Sequence, residues 1–290
     1  MMSRARLSLE GLSVGDAFGE QLLHCGPVAR ELALEHRADP RGRVWGWTDD
    51  TAMAISIVEQ LEARGAIEPA ALAAAFARRY YDDPMRGYGA GAHRVLALLH
   101  EGMPHETAAR VLFDGQGSCG NGGGMRAAPI GACFAGAPAR AATEAARSAA
   151  PTHAHPEGVA GAVAIAAAAA AVFAGEREPR AVLEQVLAQT PPGEVRDGVH
   201  RAVGLLTSRP LTVAGMLGNG SRVLAADTVP FALWCAVTHL DDYAAALWTC
   251  VEVGGDIDTT CAMVGGIVVG AVGLGGIPQA WRDAREPLPI

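Results

Sequence analysis

Two short acidic segments about two hundred residues apart, Thr48-Asp49-Asp50-Thr51 and Gly255-Asp256-Ile257-Asp258-Thr259-Thr260, constrain this chain more than any other feature. Each sets carboxylates beside hydroxyls where an apolar run begins. Behind the first, Ala52, Met53, Ile55, Ile57, Val58 and Leu61 recur at helical spacing, and Gly65 is the expected stop. One such segment alone reads as a capped helix, since Thr48 or Asp49 can accept the free N–H groups of a first turn and carboxylates suit the positive end of a helix. Two of them read as halves of one site. For the halves to meet, the chain must close on itself, which makes residues 1–290 a single domain built by long-range packing.

Together the segments offer Thr48, Asp49, Asp50, Asp256, Asp258 and Thr259, a set of oxygen donors with no His or Cys. Hard oxygen ligands favour Mg²⁺, Mn²⁺ or Ca²⁺ over zinc or copper. Four carboxylates gathered in one place repel unless cations neutralise them, and their charge balances two divalent ions. The expectation is a two-metal hydrolytic centre.

The rest of the chain points to an all-α fold, because alternating β-branched runs are scarce and alanine-rich helical segments fill the sequence. From Leu7 to Leu23 an apolar helix carries Gly11, Gly15 and Gly19 every four residues, a smooth strip that either another helix or a ligand must approach closely. Asp16 lies beside that strip, and an acid on such a helix is expected to be paired. Arg30 to Trp47, broken by Pro40 and Gly42, reads as a loop delivering Thr48. Helices are expected from Pro69 to Tyr81 and from Ala92 to His100, with a flexible turn over Arg86–Gly91 between them. Tyr88 in that turn can stack on a planar ligand or cover the core. The uncharged run Gly158–Gly175 is mostly alanine and flanked by Glu157 and Glu176, so it reads as a buried helix rather than a membrane span.

The segment from Gly115 to Gly131 holds six glycines in its first ten residues. Such a loop can turn N–H groups toward an anion, although it is neither a Walker A loop nor a Rossmann fingerprint, and glycine also serves flexibility. Arg126 can meet a phosphate or carboxylate there, or form an internal ion pair. His153 and His155 lack a third nitrogen or sulfur ligand nearby, so His153 is assigned a hydrogen-bonding role.

With half its residues hydrophobic, the chain has ample material for a core. A net charge of -8 argues against a general affinity for nucleic acid. The six cysteines, without metal-ligand spacing, read as reduced core residues. Residues 1–12 show no secretory pattern, and a cytoplasmic protein that does not enter the membrane is expected.

Five motifs in order, Gly15-Asp16-Ala17-Phe18-Gly19, Thr48-Asp49-Asp50-Thr51, Gly120-Asn121-Gly122 with Met125-Arg126, Thr152-His153, and Gly255-Asp256-Ile257-Asp258-Thr259, resemble the ADP-ribosylglycohydrolase family nearly end to end. The resemblance implies a compact, single-domain orthogonal helical bundle with a central cleft holding two Mg²⁺ or Mn²⁺ ions. The implied ligands are Thr48, Asp49, Asp50, Asp256, Asp258 and Thr259. Asp49 and Asp258 are the implied catalytic carboxylates, and Asp16, Glu20, Ser118, Gly120, Asn121, Gly122, Met125 and His153 the implied substrate contacts. The implied reaction is hydrolysis of the bond between ADP-ribose and an acceptor, foremost a protein side chain, with ADP-ribose as product and a monomer as the working unit. The chain departs from the family at one point. Many members carry a glutamate a few residues beyond the Gly-Asp-Ala-x-Gly motif, where this chain has Gln21, Leu22 and Leu23, and Glu20 is the only nearby acid. Two other readings stay open: a two-metal hydrolase of another ribosyl or phosphoryl compound, and a non-catalytic ADP-ribose binder.

Overall fold

Alanine and leucine at helical spacing, punctuated by proline and glycine, leave helix as the local solution almost everywhere. The computed structural model describes residues 3–40, 42 and 44–289, and among them the only β features are two isolated bridges, Trp45 with Arg285 and Gly120 with Leu224. In chain order come α1 (Arg4–His24), α2 (Pro27–His36), α3 (Asp49–Arg64), α4 (Pro69–Asp82), α5 (Ala90–His100) and the single turn α6 (His105–Ala108). The glycine-rich segment follows, with a 3₁₀ turn at Asn121–Gly123, then α7 (Ala128–Cys133), α8 (Pro138–Ala149) and α9 (Pro156–Phe173). The last third holds α10 (Pro179–Gln189), α11 (Glu194–Val203), α12 (Pro210–Leu217), α13 (Ala225–Thr238), α14 (Tyr243–Val253), α15 (Ile257–Val272) and α16 (Gln279–Ala284). Proline opens α2, α4, α8, α9, α10 and α12, where its missing N–H costs no hydrogen bond. Gly65 ends α3 in the left-handed conformation, φ 68°.

One seam organises the bundle. α1 and α15 run antiparallel with their backbones in contact, Gly11 facing the Gly265 carbonyl, Gly15 the Cys261 carbonyl and Gly19 the Cα of Asp258. The partner of the glycine strip is therefore a helix. Tyr243 Oη donates to the Gly11 carbonyl at 2.6 Å and Ser8 Oγ to that of Gly266 at 2.8 Å, so the seam is hydrogen-bonded at its far end. α9 is buried along nearly its whole length against α7, α8, α10, α13 and α15. It is long and apolar enough to cross a membrane, yet 78% of it is covered by the protein itself.

Three expectations change. Arg30–Trp47 is not all loop, because α2 occupies its first part, and Arg41 and Arg43 lie outside the described residues. α2 has no fully buried residue; Ala33 and Leu34 pack in part against the core, and Arg30 fastens the helix by donating to the Leu22 and Leu23 carbonyls at 2.8 and 2.7 Å. The turn at Arg86 is anchored rather than flexible. Its guanidinium forms a two-pronged pair with Glu286 at 2.6 and 2.7 Å, donates to the Trp47 carbonyl and lies 3.7 Å over the Trp47 ring. The cysteines are free, but only Cys235, Cys250 and Cys261 are buried, and Cys25 is exposed.

The segment before Thr48 is tied to the chain's last turn. Trp45 N–H donates to the Ala284 carbonyl at 2.6 Å, Glu286 N–H to that of Trp45 at 2.8 Å, and Phe18 stacks on Trp281 at 4.2 Å.

A methyl group at Gly15 would press on the Cys261 carbonyl, which is backbone and cannot swing aside, whereas one at Gly275 meets nothing within 4 Å. Gly15→Ala is expected to cost about 3 kcal/mol, the upper range for overpacking, and Gly275→Ala less than about 0.5 kcal/mol, as at an ordinary surface site. Denaturant melts of the two variants test this.

Candidate active site

The seam delivers Asp16 to the buried start of α3. Its carboxylate is fully buried with four donors within reach: Thr48 N–H and Thr48 Oγ1 at 2.9 Å each, Thr51 N–H at 3.1 Å and Thr51 Oγ1 at 2.5 Å. Thr48 caps α3, and its hydroxyl donates either to Asp16 or to Asp50 Oδ2 at 3.0 Å. Asp49 N–H donates to the Arg86 carbonyl at 2.6 Å, which fixes the first residue of the helix. From the far end of the sequence, Thr259 Oγ1 reaches Asp50 Oδ2 at 3.4 Å, so the starts of α3 and α15 share one cluster. Asp256 at the same helix start accepts from Asn121 Nδ2 at 2.6 Å, and that nitrogen also donates to Thr228 Oγ1 at 3.1 Å.

Five carboxylates are therefore within electrostatic reach of one another. Burial first, then neighbouring acids, raises Asp16 to about 7 against donors that pull it down, and Asp256 likewise to about 7. Asp49 and Asp50 are raised well above the ordinary aspartate range, chiefly by burial and then by Asp16 and Asp258. Asp50 Oδ1 and Asp258 Oδ1 are buried with no hydrogen-bond partner. Unpaired anionic oxygens in a dry site are costly, and an all-oxygen donor set with spare oxygens fits a hard divalent cation. Among the described residues no three His, Cys, Asp or Glu side chains already form a metal shell. The threonine hydroxyls belong to the donor set too, and Asp16 and Asp256 are engaged by Thr48, Thr51 and Asn121.

Opposite Asp256 stands a glycine wall. Gly120 N–H donates to Ser118 Oγ at 3.1 Å, Asn121 N–H to the Val223 carbonyl at 3.2 Å, and Ala225 N–H to the Cys119 carbonyl at 3.0 Å, pinning the loop to the start of α13. The His153 ring lies against Gly120 and Gly122, with Cε1 3.2 Å from where a Gly122 Cβ would stand.

The ADP-ribosylglycohydrolase family model matches residues 1–287. The chain belongs to that family. It is a hydrolase of ADP-ribosyl bonds. Among its relatives, the ADP-ribosylhydrolase ARH3 of Homo sapiens is 30% identical over 98% of this chain and 90% of its own. The ADP-ribosyl-[dinitrogen reductase] glycohydrolase of Rhodospirillum rubrum is 27% identical over 98% of this chain and 90% of its own. A solved structure, an ADP-ribosylglycohydrolase-related protein complex, superposes with a TM-score of 0.70 at 26% identity, covering 98% of this chain and 92% of that one.

Two of the residues expected at substrate are buried. Asp16 lies beneath Thr48 and Thr51, and Met125, 5% exposed, has its Sδ 3.8 Å from where a Gly122 Cβ would stand. Arg126 forms no ion pair among the described residues; it is fully buried, donates to neutral oxygens and lies 4.5 Å over the Phe76 ring. Glu20 is half-buried near Asp258, which with burial raises its pKa, and it pairs with His24 at 3.3 Å. It also lines a cavity of about 1050 Å³ along the end of α1 and α2, whose lining includes none of the clustered aspartates. Thr51 and Thr228 were not singled out by sequence. Thr51 at least flanks the acidic pair, while Thr228 has no local signal.

The raised carboxylates give the protein without bound cations a pH-dependent stability. Folding raises these pKa values, so the folded state keeps protons that the unfolded chain releases, and stability falls as pH rises from about 4 through about 7. Thermal melts after chelation should show this decline, and millimolar Mg²⁺ or Mn²⁺ should reverse it; melts independent of both pH and metal would contradict the assignment.

Proposed function

We propose that this ADP-ribosyl hydrolase is metal-dependent, with Thr48, Asp49, Asp50, Asp256, Asp258 and Thr259 holding two Mg²⁺ or Mn²⁺ ions and the Ser118–Gly122 wall with His153 holding ADP-ribose. The observation that carries the reading is the pair of orphaned oxygens, Asp50 Oδ1 and Asp258 Oδ1, inside a cluster of buried and half-buried aspartates. Bound there, such cations supply fixed positive charge that orients sugar hydroxyls and favours ionisation of water.

The chain's own residues supply the rest. The wall presents backbone and the His153 ring to the ligand without side chains in the way, since Gly120 and Gly122 carry none. Asp256, held by Asn121, couples the wall to the acid cluster, so a sugar resting on one is positioned by the other. Asp49, partly exposed at the start of α3, is the clustered carboxylate open to a water molecule. It takes a proton from the attacking water and gives it to the acceptor atom as that atom's bond to the anomeric carbon breaks, while Asp258 supports the charge that develops at that carbon. Glu20 is within electrostatic reach of Asp258 and also lines the cavity along α2. The Rhodospirillum rubrum relative's name specifies a modified protein, which supports a protein side chain as acceptor here.

Release of free ADP-ribose from arginine- and serine-linked substrates tests the reading. Asp49→Asn and Asp258→Asn should each lower the rate by about 100-fold or more while the protein stays folded. Normal turnover by both variants would sink it.

A further inference from the structure

Behind the glycine wall lies a hydrogen-bond chain that the proposed reaction does not use directly. Arg126 is a cation 1% exposed, and among the described residues no carboxylate lies within ion-pairing distance of it. Its Nη2 donates to the Ser148 carbonyl at 3.2 Å and to Thr152 Oγ1 at 2.7 Å, and its Nη1 lies 3.1 Å from Met53 Sδ. A guanidinium only donates, so Thr152 Oγ1 is the acceptor in that pair and keeps one hydrogen to place. Two acceptors are near it: His153 Nδ1 at 2.7 Å and the Ala149 carbonyl at 3.4 Å. The Ala149 carbonyl already accepts from Thr152 N–H at 3.0 Å and His153 N–H at 2.9 Å, so both its lone pairs are taken. Moreover, 3.4 Å is long for a hydroxyl donor. The hydroxyl hydrogen goes to Nδ1. A ring nitrogen that accepts carries no proton, and the neutral imidazole then carries its proton on Nε2.

The other edge of the ring has no such partner. Nε2 lies 3.4 Å from where a Gly122 Cβ would be and 3.8 Å from that of Gly120, and among the described residues it makes no hydrogen bond. We infer that Arg126 and Thr152 are positioning residues that lock His153 as the Nε2–H tautomer, so that the wall offers one fixed neutral donor to a phosphate or ribose oxygen of the ligand. The inference rests on the ADP-ribose site proposed above. Burial and the nearby Arg126 charge lower the His153 pKa to about 3, so the ring does not gain a second proton in the physiological range. Arg126 never reaches the ligand; its charge polarises the Thr152 hydroxyl, and successive hydrogen bonds in such a chain strengthen one another. This gives a buried, unpaired arginine a use at a distance.

Two measurements test the lock and its purpose separately. In protein labelled with ¹⁵N-histidine, with the signal assigned by its loss in His153→Asn, a long-range ¹H–¹⁵N correlation spectrum should show an unprotonated Nδ1 and a protonated Nε2. That pattern should persist between about pH 5 and about pH 8. A protonated Nδ1 in the wild-type spectrum overturns the inference. Calorimetry with ADP-ribose should then show Thr152→Val binding about tenfold more weakly, the value of one lost hydrogen bond. Thr152→Ser, which keeps the hydroxyl, should stay within about threefold of wild type. A folded Thr152→Val that binds like wild type overturns the positioning role. Wild-type protein with the expected spectrum but no affinity for ADP-ribose sustains the lock and overturns the functional reading beneath it.

Discussion

Backbone contact between α1 and α15 is the constraint on which the site depends. With no side chains at Gly11, Gly15 and Gly19, the helices close until Gly19 touches the Cα of Asp258, and Asp16 on the same helix falls within electrostatic reach of that acid. Larger residues would separate the two ends of the chain by the width of a side chain. The tie between Trp45, Ala284 and Glu286 then holds the start of α3 against the same helix pair. Long-range closure is achieved by contact rather than by a linker, and the carboxylates are carried on helix termini that cannot drift apart.

Gathering those carboxylates creates a charge problem whose size decides what the site is for. Leaving a carboxylate buried and unpaired is costly by several kcal/mol. The N-terminus of a helix offsets about 0.3 to 2 kcal/mol, and α3 and α15 provide two such ends. Four donors within reach of Asp16 and one of Asp256 satisfy those two acids in part. Asp50 and Asp258 keep an orphaned oxygen each. Arg126, the buried cation nearest in electrostatic effect, makes no ion pair with them and works toward His153 instead. Helix ends and hydroxyls therefore fall short, and either protons or bound cations must supply the balance. Only cations leave the carboxylates ionised for chemistry at neutral pH.

The parts of this arrangement that were legible in the sequence are those with local signatures. Thr48-Asp49-Asp50-Thr51 and Asp256-Ile257-Asp258-Thr259 stood out because acids and hydroxyls at a helix start are chemically conspicuous, and the glycine strip of α1 because its period matches one helix face. The helix from Asp49 to Gly65 followed from spacing and a stop. What the sequence concealed is set by packing partners far along the chain. α2 has no fully buried residue, and its attachment through Arg30 to the end of α1 is a matter of geometry. The depth of Asp16 depends on Thr48 and Thr51 meeting it from another helix. Arg126 has a polar sequence character that suggests a surface or a ligand, and only the fold shows that Phe76, Thr152 and Ser148 enclose it. Thr228 lies over a hundred positions from Asn121, the residue it supports.

The account turns on whether divalent cations occupy the junction of α3 and α15. The most direct measurement is a crystal structure of the protein grown with Mn²⁺, with anomalous scattering collected to locate the metal. The account predicts two peaks, bounded by Thr48, Asp49, Asp50, Asp256, Asp258 and Thr259, with Asp50 Oδ1 and Asp258 Oδ1 turned onto them. An enzyme that is active in the crystallisation buffer yet shows no anomalous peak among those residues would contradict it.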